Sequence, residues 1–173
     1  MKNHILYFFI SSILIAPAVL AKNGFPENRM EELIASYLKI QDSLAKDDLD
    51  SAKNSTDGLK VILEEGKGGH GIKEISSFTK NIKEAKDIMS ARNSFRSLSE
   101  AVMVLFDFYG SGETAVYKMY CPMAFNNQGA SWLQNTKDVS NPYYGASMLK
   151  CGGLVGEKSS GCSSCASHKQ PSS

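Results

Sequence analysis

The sequence has few histidines, almost no net charge and a long stretch without proline. Of its three histidines, His4 lies in an apolar N-terminal run, His70 in a glycine-rich loop and His168 in a serine-rich tail. None of these positions predicts the tight geometry that a Ser/His/acid or Cys/His catalytic arrangement requires, so we expect that the protein is not an enzyme. The 19 basic and 18 acidic residues give a net charge of +1. This balance argues against the concentrated positive surface that is typical of a nucleic-acid binder.

Long apolar runs are absent after residue 21. Before that point, Lys2 precedes an apolar run from Ile5 to Leu20, and the short side chains of Val19 and Ala21 stand at positions −3 and −1 of the expected cleavage site. This pattern is typical of a secretory signal peptide, residues 1–21, that is cleaved after Ala21. The alternative, an N-terminal membrane anchor, needs a longer apolar run. We therefore predict a periplasmic or secreted protein with no membrane span after cleavage, in a compartment where thiols can be oxidised.

Proline is absent from Glu27 to Cys121, as uninterrupted helices require. Apolar residues recur at three- and four-residue spacing in four successive segments, at about 27–46, 49–65, 72–89 and 95–109. Four amphipathic helices with short connections favour an antiparallel bundle. We therefore predict a mainly α fold, an antiparallel four-helix bundle, in which Asp47 or Asp48 caps the second helix.

The composition changes after Gly110. Residues 115–120 predict one brief extended segment, and the chain that follows is rich in turn residues and large aromatics. We predict that this Cys/Met segment, residues 115–152, packs on one end of the bundle and completes a domain of residues 27–155. Residues 156–173 are rich in Ser, Gly and Cys and predict a flexible tail.

Sulfur-containing side chains cluster in the Cys/Met segment. Met119, Cys121 and Met123 alternate along the chain, and such positions share one face of an extended strand. Met148 and Cys151 are three residues apart, which places them on one side of a helical turn. Thiolates and thioethers are soft donors that select Cu(I). In contrast, Ca²⁺ and Mg²⁺ prefer oxygen, and zinc sites usually add Cys or His rather than Met.

The same cysteines allow a second interpretation. In an oxidising compartment, Cys121 and Cys151 can form a plain disulfide that closes a loop of about 30 residues and stabilises the fold by roughly 3 to 4 kcal/mol. Met123 and Met148 would then only pack on the bridge. The residues by themselves leave both the soft-metal site and the disulfide open.

The tail adds a C-x-x-C-x-x-H sequence formed by Cys162, Cys165 and His168. A structural zinc site needs a fourth ligand, which the tail does not supply. A redox C-x-x-C needs a helix N-terminus, which this serine-rich context does not predict. We regard these three residues as weaker candidates for metal capture.

Four sequence blocks resemble an uncharacterised family of exported bacterial domains. The blocks are Y-C-P-M-A at 120–124, G-A-S-W-L at 129–133, N-P-Y-Y-G at 141–145 and M-L-K-C-G at 148–152. The resemblance covers about residues 30–154. Related domains are appended to membrane-fusion subunits of copper/silver efflux pumps and also occur as free exported proteins.

The resemblance implies a periplasmic protein that binds Cu(I) or Ag(I) and buffers the metal or passes it to an efflux system. The ligands that it implies are Cys121, Met123, Met148 and Cys151, whereas Met119 lies outside the family pattern and is a weaker candidate. Other residues in the blocks are expected to cover the site, to join the core or to shape turns: Trp132, Tyr143, Pro122, Pro142 and Gly145. The alternative function is a disulfide-closed adaptor that docks on an envelope protein without metal.

Overall fold

The computed structural model describes residues 27–65 and 71–158. The predicted signal peptide, the loop that contains His70, and the tail with Cys162, Cys165 and His168 lie outside the described residues. Within the described part of the chain, no helix combines the length and the apolar character that a membrane crossing requires.

Four long helices form the body of the molecule. They are α1 (Glu27–Ala45), α2 (Leu49–Glu65), α3 (Ile72–Lys83) and α4 (Ile88–Tyr109). Each helix packs on the next along the chain, and α4 returns to pack on α1. The apolar stripes meet in one core, whose buried members include Leu33, Leu59, Ile75, Phe95, Leu98 and Val102. The predicted fold class, a mainly α helical bundle, is confirmed.

The boundary between α3 and α4 differs from the prediction. Met89 was expected in the third helix, but α3 ends at Lys83 and α4 begins at Ile88. The reason is a helix cap: Asp87 has an extended backbone, and its carboxylate accepts the backbone N–H of Ser90 at 2.7 Å. The predicted cap of the second helix is present, because Asp48 accepts the N–H of Ser51 at 2.9 Å.

A small antiparallel sheet follows the bundle. Its strands are β1 (Val116–Cys121), β2 (Ala130–Gln134) and β3 (Gly153–Lys158), in the order β2-β1-β3. Two short helical turns lie between the strands: α5 (Ala124–Asn127) and a 3₁₀ turn at Gly145–Ser147. The predicted extended segment is β1. The strands β2 and β3 were not expected, and β3 includes residues 156–158, which were assigned to the flexible tail.

The chain after the bundle contacts α1 at several points. Near the start of α1, Glu31 accepts a hydrogen bond from Thr114 at 3.3 Å. In the middle of α1, the Tyr37 hydroxyl accepts the Leu133 N–H of β2 at 3.1 Å. Just beyond the end of α1, Asp47 accepts the Ala146 N–H at 2.8 Å. The contacts therefore run from the first turns of α1 to the turn that follows it, and β2 packs on both α1 and α4.

Tyr37 is buried and joins the bundle to the sheet, since its hydroxyl also contacts the Ser99 hydroxyl at 2.7 Å. Tyr37→Phe is expected to lower the free energy of unfolding by about 1 to 3 kcal/mol, because the buried Leu133 N–H loses its acceptor. Urea denaturation measures this loss, and hydrogen exchange at Leu133 should become faster. Tyr109→Phe is the matched control, because its hydroxyl makes no hydrogen bond to another described residue. An unchanged urea midpoint for Tyr37→Phe would show that the hydrogen bond between the Tyr37 hydroxyl and the Leu133 N–H does not stabilise the fold.

Hydrogen bonds from the Ser90 backbone N–H and, second, from the Ser90 hydroxyl lower the pKa of Asp87. A lowered native pKa contributes stability above the ordinary pKa, and this stability is lost as the pH falls through the native value. Asparagine caps a helix about as well as aspartate but does not titrate. Asp87→Asn should therefore match the parent at pH 7 and lose less stability near about pH 3.

Urea midpoints at the two pH values measure the Asp87 effect. Asp50→Asn is the control, because Asp50 is exposed in the first turn of α2 and does not cap it. If Asp87→Asn loses as much stability between the two pH values as the parent does, the titration of Asp87 does not contribute to the loss of stability in acid.

Candidate functional site

Cys121 is the last residue of the central strand β1. Antiparallel pairing places it opposite Ala130 of β2, and places the preceding Tyr120 opposite Gly153 of β3. The Cys121 side chain is fully buried. Because β1 has a hydrogen-bonded neighbour on each side, the position of this thiol is set by the sheet.

Cys151 reaches the same end of the sheet from the segment that precedes β3. Its Sγ lies 2.9 Å from Sγ of Cys121, although 30 residues separate the two along the chain. The two sulfur atoms are not bonded to each other in this structure, and Cys151 is half-buried. The structure thus brings together the two predicted thiol ligands.

Gly152 allows this approach. Its backbone has a φ of +126°, and a Cβ at this position would lie 2.9 Å from Cη2 of Trp132 and 2.9 Å from the carbonyl oxygen of Tyr120. Any other residue would meet both obstacles in a backbone conformation that L residues rarely adopt. The absence of a side chain therefore lets the chain pass the indole ring and carry Cys151 to Cys121.

Asn141 organises the backbone on the Cys151 side. Its buried side chain donates to the carbonyl oxygen of Cys151 at 2.7 Å and accepts the Tyr143 N–H at 2.8 Å. Its own backbone N–H donates to the carbonyl oxygen of Leu149 at 2.9 Å. One amide side chain thereby closes the loop from residue 141 to residue 151.

The predicted methionine ligands have different environments. Met119 is fully buried in β1, where it pairs with Trp132. Met123 is 45% exposed, and its carbonyl oxygen accepts the Tyr144 hydroxyl at 2.6 Å. Met148 is half-buried, and its carbonyl oxygen accepts the Cys151 N–H at 2.9 Å. Met123 and Met148 are thus attached to the two segments that carry the thiols.

Electrostatics favour the protonated form of Cys151. The hydrogen bond with Cys121 and, second, burial raise the pKa of Cys151 to about 11. Among the described residues, no group of three or more His, Cys, Asp or Glu side chains is placed to hold a metal ion. The two thiols are soft donors, and by themselves they do not complete a four-ligand zinc site.

The aromatic residues of the sequence blocks belong to the core. Trp132 is fully buried and packs edge-on against Tyr143, with ring centroids 5.7 Å apart. Tyr143 in turn contacts Phe95 of α4 at 6.0 Å. Gly145 adopts a φ of +57°, which agrees with the expected turn.

Sequence reasoning missed Asn141, and it assigned no role to Arg92, whose buried guanidinium donates to Asp47 and to the carbonyl oxygen of Pro142. Arg92 lies on the same helical face as Phe95 and Ser99, all of which are buried. A charged residue on an apolar stripe was the available signal. Asp47 was expected only as a helix cap, and Asn141 was part of a sequence block with no role assigned.

Comparisons with known proteins add one finding. Residues 33–114 match a family described as a protein of unknown function (DUF3347). This match is consistent with an uncharacterised domain family. It spans most of the bundle and ends before β1, so it includes Asp47 and Arg92 but neither thiol. No curated protein and no solved structure is significantly similar to the chain.

Gly152→Ala is expected to destabilise the protein by about 1 to 3 kcal/mol, because alanine is strained at this φ and its Cβ collides with neighbours. Urea denaturation followed by the fluorescence of Trp132, the single tryptophan of the sequence, measures the loss. Gly153→Ala is the control, since a Cβ there meets nothing within 4 Å. Equal stability of the two variants would show that Gly152 is not required for the passage beside Trp132.

Proposed function

We propose that this protein is an exported binding protein for a soft monovalent metal, Cu(I) or Ag(I), with Cys121 and Cys151 as its principal ligands. The protein buffers the metal or passes it to a copper/silver efflux system. No catalytic step is part of this function.

The observation that carries the proposal is the contact between the two thiols. Cys121 and Cys151 come from different segments, yet their sulfur atoms lie 2.9 Å apart at one end of the sheet. Soft monovalent ions accept two thiolates as a sufficient ligand pair, whereas zinc needs four ligands. Met123 and Met148 add thioethers on the same two segments, with no carboxylate or imidazole cluster among the described residues.

Metal binding requires a local adjustment. Two thiolates on opposite sides of one ion, each at a metal–sulfur distance of about 2.3 Å, stand roughly 4.6 Å apart. The sulfur atoms must therefore separate by about 1.7 Å from their contact distance of 2.9 Å. Cys121 is held in the central strand, so Cys151 and its loop accommodate the change.

The same contact favours a second candidate function. Two thiols at contact distance are placed for oxidation to a disulfide, which fits the predicted oxidising compartment. In that case the protein is a disulfide-closed adaptor that docks on an envelope protein without metal. The two chemistries use the same thiols, so a bridge would have to be reduced before metal binds.

The proposals that the protein is exported and that it transfers the metal to an efflux system rest on the sequence. The N-terminal pattern up to Ala21 supports export. The resemblance of residues 120–152 to domains appended to membrane-fusion subunits of copper/silver efflux pumps supports a membrane-fusion protein as the acceptor of the metal.

Cu(I) titration of the reduced protein against a chromogenic chelator tests the metal site. A Cys162→Ser/Cys165→Ser background removes the tail thiols, so that binding reports on Cys121 and Cys151. We expect about one equivalent of Cu(I) in this background, because a single thiolate pair supplies the soft ligands. Cys121→Ser or Cys151→Ser should each remove most of the binding, since each leaves one thiolate.

Methionine variants test the thioethers. Met123→Leu and Met148→Leu should weaken Cu(I) binding less than the cysteine variants do, because a neutral thioether is the weaker donor and leucine preserves the volume. Met89→Leu is the matched control, since Met89 is 54% exposed on α4 and lies outside the Cys/Met segment. A reduced parent protein that does not bind Cu(I) would end the metal proposal.

Thiol titration separates the two functions. The metal function predicts that Cu(I) or Ag(I) protects Cys121 and Cys151 from alkylation and restores the stability that reduction removes. The disulfide function predicts no free thiol at these positions and a loss of about 3 kcal/mol on reduction, without rescue by metal.

A further inference from the structure

We propose that Asp47 is a positioning residue for the Cys121/Cys151 site, acting through Arg92 and the loop that carries Cys151. Asp47 lies in the turn between α1 and α2 and touches neither thiol. This inference rests on the proposed function in that it describes how the metal-binding thiols are held.

Arg92 is the centre of the connection. Its side chain is only 6% exposed in the interior of α4. Its guanidinium donates to Asp47 at 2.5 Å, to the carbonyl oxygen of Leu44 at 3.0 Å and to the carbonyl oxygen of Pro142 at 2.9 Å. A buried guanidinium stays charged, so these acceptors are required, and the Pro142 acceptor belongs to the loop of the site.

Asp47 holds the same loop at a second point. One carboxylate oxygen accepts from Arg92, and the other accepts the Ala146 N–H at 2.8 Å. The two hydrogen bonds lower the pKa of Asp47, the Ala146 bond contributing most. Gly145 lies directly against this pair, because a Cβ there would collide with Asp47 Oδ1 and with Arg92 Nη2.

Hydrogen bonds within the loop connect the Asp47–Arg92 pair to the backbone of Cys151. Pro142 follows Asn141, whose side chain donates to the carbonyl oxygen of Cys151 at 2.7 Å. Ala146 precedes Met148, whose carbonyl oxygen accepts the Cys151 N–H at 2.9 Å. The loop before Cys151 is thus tied to the Asp47–Arg92 pair at Pro142 and at Ala146.

The two thiols are therefore held by different parts of the molecule. Cys121 is fixed by strand pairing in the sheet, and Cys151 by a loop that is tied to the turn between α1 and α2. The separation of the sulfur atoms depends on both. Loosening the Asp47–Arg92 pair should broaden the positions of Cys151 and leave Cys121 unchanged.

Asp47→Asn in the full chain, with Cys162→Ser and Cys165→Ser, tests this inference. Asn tolerates the left-handed backbone of Asp47, which has a φ of +60°, but it cannot accept from both Arg92 and Ala146. The first measurement is the equilibrium with glutathione, in which the two thiols reduce one glutathione disulfide to two glutathione thiols and become a disulfide. We expect this equilibrium constant to fall about tenfold, which is about 30 mV in reduction potential.

Two further measurements use the same variant. The alkylation rate of Cys151 by iodoacetamide should rise severalfold, because the loop no longer holds the thiol against Cys121. The affinity for Cu(I) should fall together with the equilibrium constant for oxidation by glutathione disulfide. Asp47→Gly, which also tolerates a positive φ, removes both acceptors and should show an equal or larger effect.

Asp57→Asn is the matched control. It makes the same charge change and breaks an exposed ion pair with Lys83, which spans 2.9 Å between α2 and α3. All measurements are made where Trp132 fluorescence shows each protein to be folded, so a purely global loss of stability leaves the glutathione constant and the alkylation rate unchanged.

The outcomes separate the two proposals. If the Asp47 variants match the parent in both thiol measurements, the positioning role is wrong, whether or not Cu(I) binds. If the thiol measurements change as expected and the parent does not bind Cu(I), the positioning role stands and the metal function is wrong.

Discussion

The arrangement of the C-terminal segment depends on one buried charge, the guanidinium of Arg92. A guanidinium does not lose its charge inside a protein, so its N–H groups need acceptors when water is excluded. The acceptors are the carbonyl oxygens of Leu44 and Pro142 and the carboxylate of Asp47. They belong to the end of α1, to the turn after it and to the loop before β3. Satisfying one charge therefore joins three distant parts of the chain.

A second anchor lies near the middle of α1. The Tyr37 hydroxyl connects Ser99 of α4 with the backbone of β2, and the rings of Phe95, Tyr143 and Trp132 pack in succession beside it. With Arg92 holding one end and Tyr37 the middle, the sheet is fixed along the face of α1 and α4. The thiols at the end of the sheet are consequently part of the packed structure on the Cys121 side and part of a hydrogen-bonded loop on the Cys151 side.

The family match covers most of the helical bundle but not the two thiols. The family match ends at Thr114, before β1 begins. The functional proposal therefore draws on the chemistry of the residues after that point. Thiols and thioethers are soft donors whatever fold carries them, so the class of metal that we propose follows from residue type alone.

The sequence by itself determined the four helices and the identity of the sulfur donors. Helical periodicity is local, since every turn repeats its buried face within the same segment, and donor softness is a property of a single side chain. Only the tertiary structure decided that β2 and β3 are strands, because these short segments acquire their conformation by pairing with β1. It also decided that Cys121 and Cys151 touch and that Asp47 and Arg92 support them. Arg92 lies 45 residues from Asp47 and 50 residues from Pro142 along the chain, and no local pattern encodes a contact between such positions.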